Sequence, residues 1–226
     1  MSGRLVILTA ILVGLSLLLG TAACSDAGGA AQTTTPVGSV ATSTTTSEAS
    51  PSTTIVAPED LEPVVQPTLP ADVPGYLSVD PATGLHMTGT PTVVDLASYT
   101  LKVSGKVANE LNLTYDALRL LPKMTASPEL VCPGFFVDNA TWSGVPLKTI
   151  LEMAGVEPDA TEIRMNAADR YSVTVDLEVA LDPDSFLAYE LTGQTLPVLQ
   201  GFPLRAVFPG QEGNRWVKWL LEIEVE

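Results

Sequence analysis

From Ser25 to about Pro70 the chain is written almost wholly in Ser, Thr, Ala, Gly and Pro, as in Thr42-Ser43-Thr44-Thr45-Thr46-Ser47. Such a segment cannot bury enough apolar surface to offset the entropy of ordering its own backbone. Whatever folds must be built from the C-terminal part, and composition shifts toward large apolar residues near Leu85. Residues 25–84 are expected to form a disordered Ser/Thr/Pro-rich linker, its last stretch, 71–84, leading into a domain at 85–226.

Ahead of the linker, residues 1–24 carry the marks of a secretory signal. Arg4 supplies a positive start, Leu5 to Gly20 an apolar stretch, and Thr21-Ala22-Ala23 a small-residue cleavage site. Cys24 follows at once, which resembles the bacterial lipobox, although Thr21 stands where leucine is more common. This predicts a lipoprotein anchored through acylated Cys24 on the extracytoplasmic face of the cell membrane. An uncleaved anchor helix is the alternative, since about 16 apolar residues fall a little short of a full span. The 11 basic and 26 acidic residues give a net charge of −15, which disfavours nucleic acid as a partner.

Beyond Leu85 the patterns are those of short mixed elements. Tyr99, Leu101 and Val103 alternate with polar residues before Gly105, as in a half-buried strand. Thr114 reads as the N-cap of a helix over Tyr115 to Leu121, stopped by Pro122. A second helix is expected from Pro146 to Ala154, with proline in its first turn and Gly155 as its C-cap. Further strands are expected at Glu162 to Asn166, Tyr171 to Val175, Phe186 to Glu190, Leu204 to Phe208 and, most clearly, Val217 to Val225. The sum is an α+β domain with a mixed or antiparallel sheet and two or three short helices.

Chemistry is narrowed by what is scarce. His86 is the only histidine, so zinc sites of the HExxH kind and multi-histidine metal centres are excluded. It is expected to be a surface residue at the domain's edge. No Gly-rich phosphate loop follows an expected strand. Two Asn-x-Thr triplets, at Asn112 and Asn139, match the glycosylation pattern and are read as chance in such a protein.

With Cys24 lipidated, Cys132 is the one remaining thiol, and it stands at the end of Glu129-Leu130-Val131 before Pro133-Gly134. That strand-to-turn position would present a side chain in a cleft, or Cys132 is an inert core residue. Arg205, Arg215 and Lys218 fall within 14 residues of an acidic chain, beside Pro209-Gly210 and Gly213. They form either an anion cradle or a solvated turn.

Taken together these segments resemble the sulfite oxidase family of molybdopterin enzymes. The resemblance rests on Val131-Cys132-Pro133-Gly134, Trp142-Ser143-Gly144-Val145-Pro146-Leu147 and Leu187-Ala188-Tyr189-Glu190, then Gly201-Phe202-Pro203-Leu204-Arg205 and Val217-Lys218-Trp219-Leu220. It implies a sulfite-oxidase-type fold and a Mo-molybdopterin cofactor, with Cys132 as the catalytic ligand to molybdenum. Arg205, Arg215 and Lys218 would bind the anionic cofactor, with backbone from Trp216 and Val217. Asp169 and Gln200 would complete the pocket. Gln200 departs from the histidine or asparagine that the family carries before the glycine. The Arg-Asn-His-type segment ahead of the domain and the dimerisation domain after it are missing, so sulfite oxidation is not implied.

Exported enzymes of this kind are folded around their cofactor before leaving the cytoplasm under a twin-arginine signal, whereas this n-region has Arg4 alone. The expected function is a membrane-anchored molybdopterin-dependent oxidoreductase, moving two electrons and an oxygen atom and served by a separate electron-transfer partner. The alternative is a cofactor-free binding or scaffold module on the same fold.

Overall fold

The computed structural model describes residues 57–226. The expected signal segment 1–24, its Cys24, and residues 25–56 of the expected linker lie outside the described residues. Among the described residues no helix is long and apolar enough to cross a membrane.

The first sheet is mixed and runs β2 (Leu111–Thr114), β1 (Thr100–Gly105), β12 (Leu220–Val225), β7 (Glu162–Ala167), β8 (Ser172–Asp176). The C-terminal strand β12 lies parallel to β1 and antiparallel to β7, so the two ends of the domain are joined through one ladder. The second sheet is antiparallel. It runs β10 (Gln194–Thr195), β9 (Phe186–Leu191), β6 (Trp142–Pro146), β3 (Met124–Ala126), and β11 (Arg205–Val207) also pairs with β9. A separate hairpin of β4 (Glu129–Cys132) and β5 (Phe136–Asn139) carries Cys132 at its turn.

Among the described residues three short helices complete the α+β fold: α1 (Tyr115–Arg119), α2 (Leu147–Ala154) and α3 (Leu177–Ala180). The Thr114 side chain accepts a hydrogen bond from the Ala117 N–H, which satisfies one orphan donor of α1. Helix α2 buries Leu147, Ile150, Leu151 and Ala154, one stripe at helical spacing. Each fully buried Leu or Ile there contributes roughly 1.5–3 kcal/mol. Gly155 ends α2 in the left-handed conformation, φ 68°, as expected of a C-cap, while Pro146 stands at the N-cap rather than inside the first turn. The stripe packs into one core with Leu101 and Val103 of β1, Ile163 and Met165 of β7, and Phe186 and Leu187 of β9.

Two expectations are corrected. The last strand was to begin at Val217, but Trp219 adopts φ 52° and the strand starts at Leu220, with a bulge between Leu220 and Glu222 that breaks the alternation. The left-handed turn is held by the Trp219 indole N–H, which donates to the Val198 carbonyl at 2.7 Å. Val217 and Lys218 are thereby kept out of the sheet.

The linker boundary at Leu85 also moves. Residues 57–84 include a 3-10 turn at Pro58–Asp60, the Glu62 carbonyl accepts from the Arg119 guanidinium, and the Gln66 side chain accepts from the Leu96 N–H. The Leu77 N–H then donates to the Met87 carbonyl and the Met87 N–H to the Ser78 carbonyl, around a turn fixed by buried Asp80, whose carboxylate accepts from the Ala82 N–H and Thr83 hydroxyl. The sparse apolar residues of this strap, Val64 among them, pack on the core supplied by the rest of the domain.

Candidate active site

Four loops meet around a cleft of about 480 Å³: the strap at Tyr76–Leu77 and Thr88–Gly89, the β4–β5 turn at Cys132–Phe135, the β7–β8 turn at Asp169–Tyr171, and the segment Glu212–Trp219 before β12. Cys132, Asp169, Trp216, Val217 and Lys218, all expected from the sequence, line it.

Cys132 is half-buried at the end of β4 and is the one free cysteine among the described residues. Gly213 lies against it so closely that a Cβ there would stand 2.5 Å from the sulfur. Burial pushes the Cys132 thiol up, against the opposing pull of the positive charges on Arg205 and Lys218. Lys218 is buried, and its ammonium donates to the carbonyls of Thr88 and Leu199 at 3.1 and 2.9 Å. Burial, then repulsion from Arg205, pushes the Lys218 ammonium well below the ordinary lysine range.

Arg205 is buried as well but does not line the cleft. Its guanidinium lies 4.6 Å from the Trp142 ring centroid and 5.8 Å from that of Trp216, which itself forms part of the cleft wall. Its Nη1 donates to the Gln200 side-chain oxygen at 3.1 Å, while its Nε is buried with no partner. Desolvation lowers its pKa to about 10. Among the described residues neither Arg205 nor Lys218 forms an ion pair. Asp138 lends both of them some favourable field, yet two buried cations with no direct ion pair beside a cleft fit an anionic group in it, because a buried charge without a close counter-charge is unfavourable.

Gln200 and Arg215, also expected at the pocket, are not brought to its wall. Gln200 is fully buried behind it and holds Arg205. Arg215 turns its guanidinium to the Thr174 carbonyl and braces the loop against β8. The backbone N–H groups of Trp216 and Val217, expected to face phosphate, donate instead to Gly213 and Arg215 carbonyls. Asp169 caps its own turn by accepting from the Tyr171 N–H, and the Tyr171 hydroxyl donates to the Asn214 carbonyl, joining two of the four loops.

His86 is not the plain surface residue expected. Its Nδ1 lies 2.7 Å from one oxygen of buried Asp138, its backbone N–H donates to the other at 2.8 Å, and its ring stacks on Phe136 with centroids 4.1 Å apart. This ties the strap to the hairpin that carries Cys132. Tyr76, Leu77, Thr88 and Gly89 are cleft residues that sequence reasoning missed, the first two because they lie within the stretch read as linker. Among the described residues no group of three or more His, Cys, Asp or Glu side chains could hold a metal ion. A metal at Cys132 would need most of its ligands from elsewhere.

Residues 87–226 match the family described as oxidoreductase molybdopterin binding domain. The chain belongs to this family. It is 35% identical over 127 residues to a putative protein-methionine-sulfoxide reductase subunit YedZ1 of Azospira oryzae, covering 56% of this chain and 48% of that protein. The mitochondrial sulfite oxidase of Drosophila melanogaster is 34% identical over 161 residues, covering 59% of this chain and 28% of that protein. The sulfane dehydrogenase SoxCD of Paracoccus pantotrophus superposes with a TM-score of 0.56 at 27% identity, covering 60% of this chain and 40% of that one. The chain thus spans less than half the length of each of these three proteins. The expected fold, α+β of sulfite-oxidase type, is the fold observed, with more strand than helix. Membership implies a molybdenum cofactor, and the thiol and Lys218 in the cleft, with the Arg205 charge behind its wall, suit such a group.

Proposed function

We propose that this chain is an extracytoplasmic, membrane-anchored molybdopterin-dependent oxidoreductase, tethered by acyl chains on Cys24. The observation that carries the reading is the pair of buried cations, Lys218 in the cleft and Arg205 behind its wall, neither in a direct ion pair, at the cleft that holds the domain's one thiol. The molybdenum–pterin group, when bound, supplies two-electron, oxygen-atom-transfer chemistry.

The residues of the chain divide the remaining work. Cys132 offers a soft sulfur ligand, and coordination would draw off the proton that burial otherwise keeps on the thiol. Lys218 has given two of its three ammonium hydrogens to carbonyls, leaving one for an anionic group of the cofactor. Arg205 adds a fixed positive charge behind the wall, oriented by Gln200 and the faces of Trp142 and Trp216. Trp216 and Val217 form an apolar side that excludes water, and Asp169 holds the opposite turn. Electrons would pass to or from a separate protein partner. The relatives' names, sulfite oxidase, sulfane dehydrogenase and protein-methionine-sulfoxide reductase subunit, make a sulfur centre the first substrate class to try.

The experiment is metal analysis by mass spectrometry, with a fluorescence assay for released pterin, on mature protein purified from its own membrane. The reading requires near one molybdenum per chain, lost in Cys132→Ser while the fold is kept. Absence of both molybdenum and pterin, in cells that load other molybdoenzymes, would leave the cofactor-free binding module in its place.

A further inference from the structure

The residues that line the cleft separate sharply by depth. Trp216, Val217, Lys218 and Trp219 are at most 6% exposed, whereas Tyr76 is 72%, Phe135 73% and Tyr171 42% exposed. The latter three therefore stand at the mouth, and each comes from a different loop: the strap, the β4–β5 turn and the β7–β8 turn. Soluble proteins do not usually leave three large rings in solvent around one opening without a ligand to cover them. Tyr171 is moreover fixed in place by its hydroxyl, which donates to the Asn214 carbonyl.

The charges of the lining point the same way. Its acidic and basic side chains are Asp169, Glu212 and Lys218, and Lys218 lies on the floor with two of its hydrogens already donated. Arg170 is exposed nearby and Arg215 is turned to Thr174, and neither lines the cleft. Resting on the cofactor reading above, which commits Lys218 to the cofactor, no lining cation remains for a second anion. Two carboxylates on the wall of a chain with net charge −15 would oppose its approach. The polar groups left to orient a substrate are neutral, the Thr88 hydroxyl and the Asn214 amide.

We infer that the substrate is an uncharged organic molecule whose apolar group is held by Tyr76, Phe135 and Tyr171, and that small inorganic oxyanions are selected against. The mouth is then a specificity device, with rings that bury an aryl or alkyl group and carboxylates that repel a bare anion.

Equilibrium binding to the full chain, purified from its own membrane, tests this by calorimetry and by quenching of tryptophan fluorescence, since Trp216 and Trp219 form the cleft floor. The probes are methyl p-tolyl sulfoxide and inorganic sulfite. The sulfoxide should bind the tighter of the two, and Tyr76→Ala, Phe135→Ala and Tyr171→Ala should each weaken it about tenfold. Tyr171→Phe, which keeps the ring, should lose far less. Glu212→Gln, at an exposed position, should strengthen sulfite binding and leave the sulfoxide unchanged. Tighter binding of sulfite, absence of sulfoxide binding, or indifference of the sulfoxide to all three alanine variants overturns the inference. Molybdenum measured on the same preparation keeps the two readings apart. Sulfite preferred by fully loaded protein defeats the substrate inference alone, and sulfoxide bound at the rings without molybdenum defeats the oxidoreductase alone.

Discussion

Arg205 donates from Nη1 to the side-chain oxygen of Gln200 at 3.1 Å, and both residues are almost wholly removed from solvent. The pair joins a charge with no carboxylate partner to the one side-chain acceptor that holds it. The second bond of Nη1, to the Gln200 carbonyl at 3.4 Å, is long, and Nε has no partner. Gln200→Ala should therefore destabilise the cofactor-free protein by about 1–3 kcal/mol, the cost of an unsatisfied buried polar group. Denaturant unfolding of cofactor-free protein measures it, and a loss under ~0.5 kcal/mol would show that the bond does little.

Burial holds Lys218 well below the ordinary lysine range, so its charge should be lost as pH rises, at a lower pH than that of a solvated lysine. Sulfate does not titrate over this range and serves as a probe for the cationic floor. Its affinity for cofactor-free protein, read from the rise in Tm, should fall as pH climbs through the depressed value. In the folded state Lys218 releases its proton earlier than in the unfolded chain. Its penalty on folding is therefore fully present below the folded pKa and is relieved as pH rises toward the unfolded one. In Lys218→Met both effects should disappear.

Tyr99, Tyr115 and Tyr189 give an alkaline limit of opposite sign. Burial raises all three phenols above the ordinary tyrosine value, and Tyr99 also donates to the Leu220 carbonyl at 2.9 Å. The folded state thus keeps protons that the unfolded chain gives up above pH ~10. Stability from these groups is complete below that pH and is lost above it. Absorbance at 295 nm during alkaline titration should show three tyrosines ionising only with unfolding, as followed by circular dichroism.

Asp138 accepts from both the backbone N–H and the ring of His86, the joint between strap and hairpin. Asp138→Ala leaves that backbone donor without its partner, and should cost about 1–3 kcal/mol. The local consequence is more telling than the global one. Hydrogen exchange at residues 77–87 should accelerate well beyond that of β7 or β12, because the Asp138 carboxylate is the strap's tie to the hairpin while β7 and β12 are held by ladders on both sides. Uniform acceleration across the domain would mean that the pair supports the core instead.

What the sequence made legible followed from periodicity and end signals. Strand β1 alternates, α2 shows four buried positions at helical spacing, and Thr114 and Gly155 cap as their chemistry dictates. Strand β6 was not anticipated because Trp142 to Val145 are all buried, so it has no polar face to alternate with. Trp219 misled for another reason: its left-handed backbone depends on an indole bond to Val198, a partner distant in sequence. The cleft was legible in Cys132, Val217 and Lys218, whose types and order carry the resemblance. The strap was hidden, since Tyr76, Leu77 and Asp80 lie in a Pro- and Gly-rich stretch that orders only against surfaces formed elsewhere. His86 and Asp138 were equally hidden, being a pair that only the folded chain assembles.

Gly213 makes the sharpest demand on the site. An alanine Cβ there would stand 2.5 Å from the Cys132 sulfur and 2.9 Å from the Leu130 side chain, both closer than carbon atoms are tolerated, while the backbone of Gly213 itself needs no special conformation. Strain would thus arise wholly from contact, and the freer of the two neighbours is the half-buried thiol. Gly213→Ala should swing the sulfur or the β4–β5 turn aside at a cost of about 1–3 kcal/mol, within what the domain tolerates. On the ligand role proposed for Cys132, molybdenum retention should fall far more than stability does, because a ligand displaced by even an ångström no longer meets a metal. Metal content and Tm measured side by side decide it: equal molybdenum in Gly213→Ala and wild type would mean that the Cys132 sulfur is not held where the metal needs it.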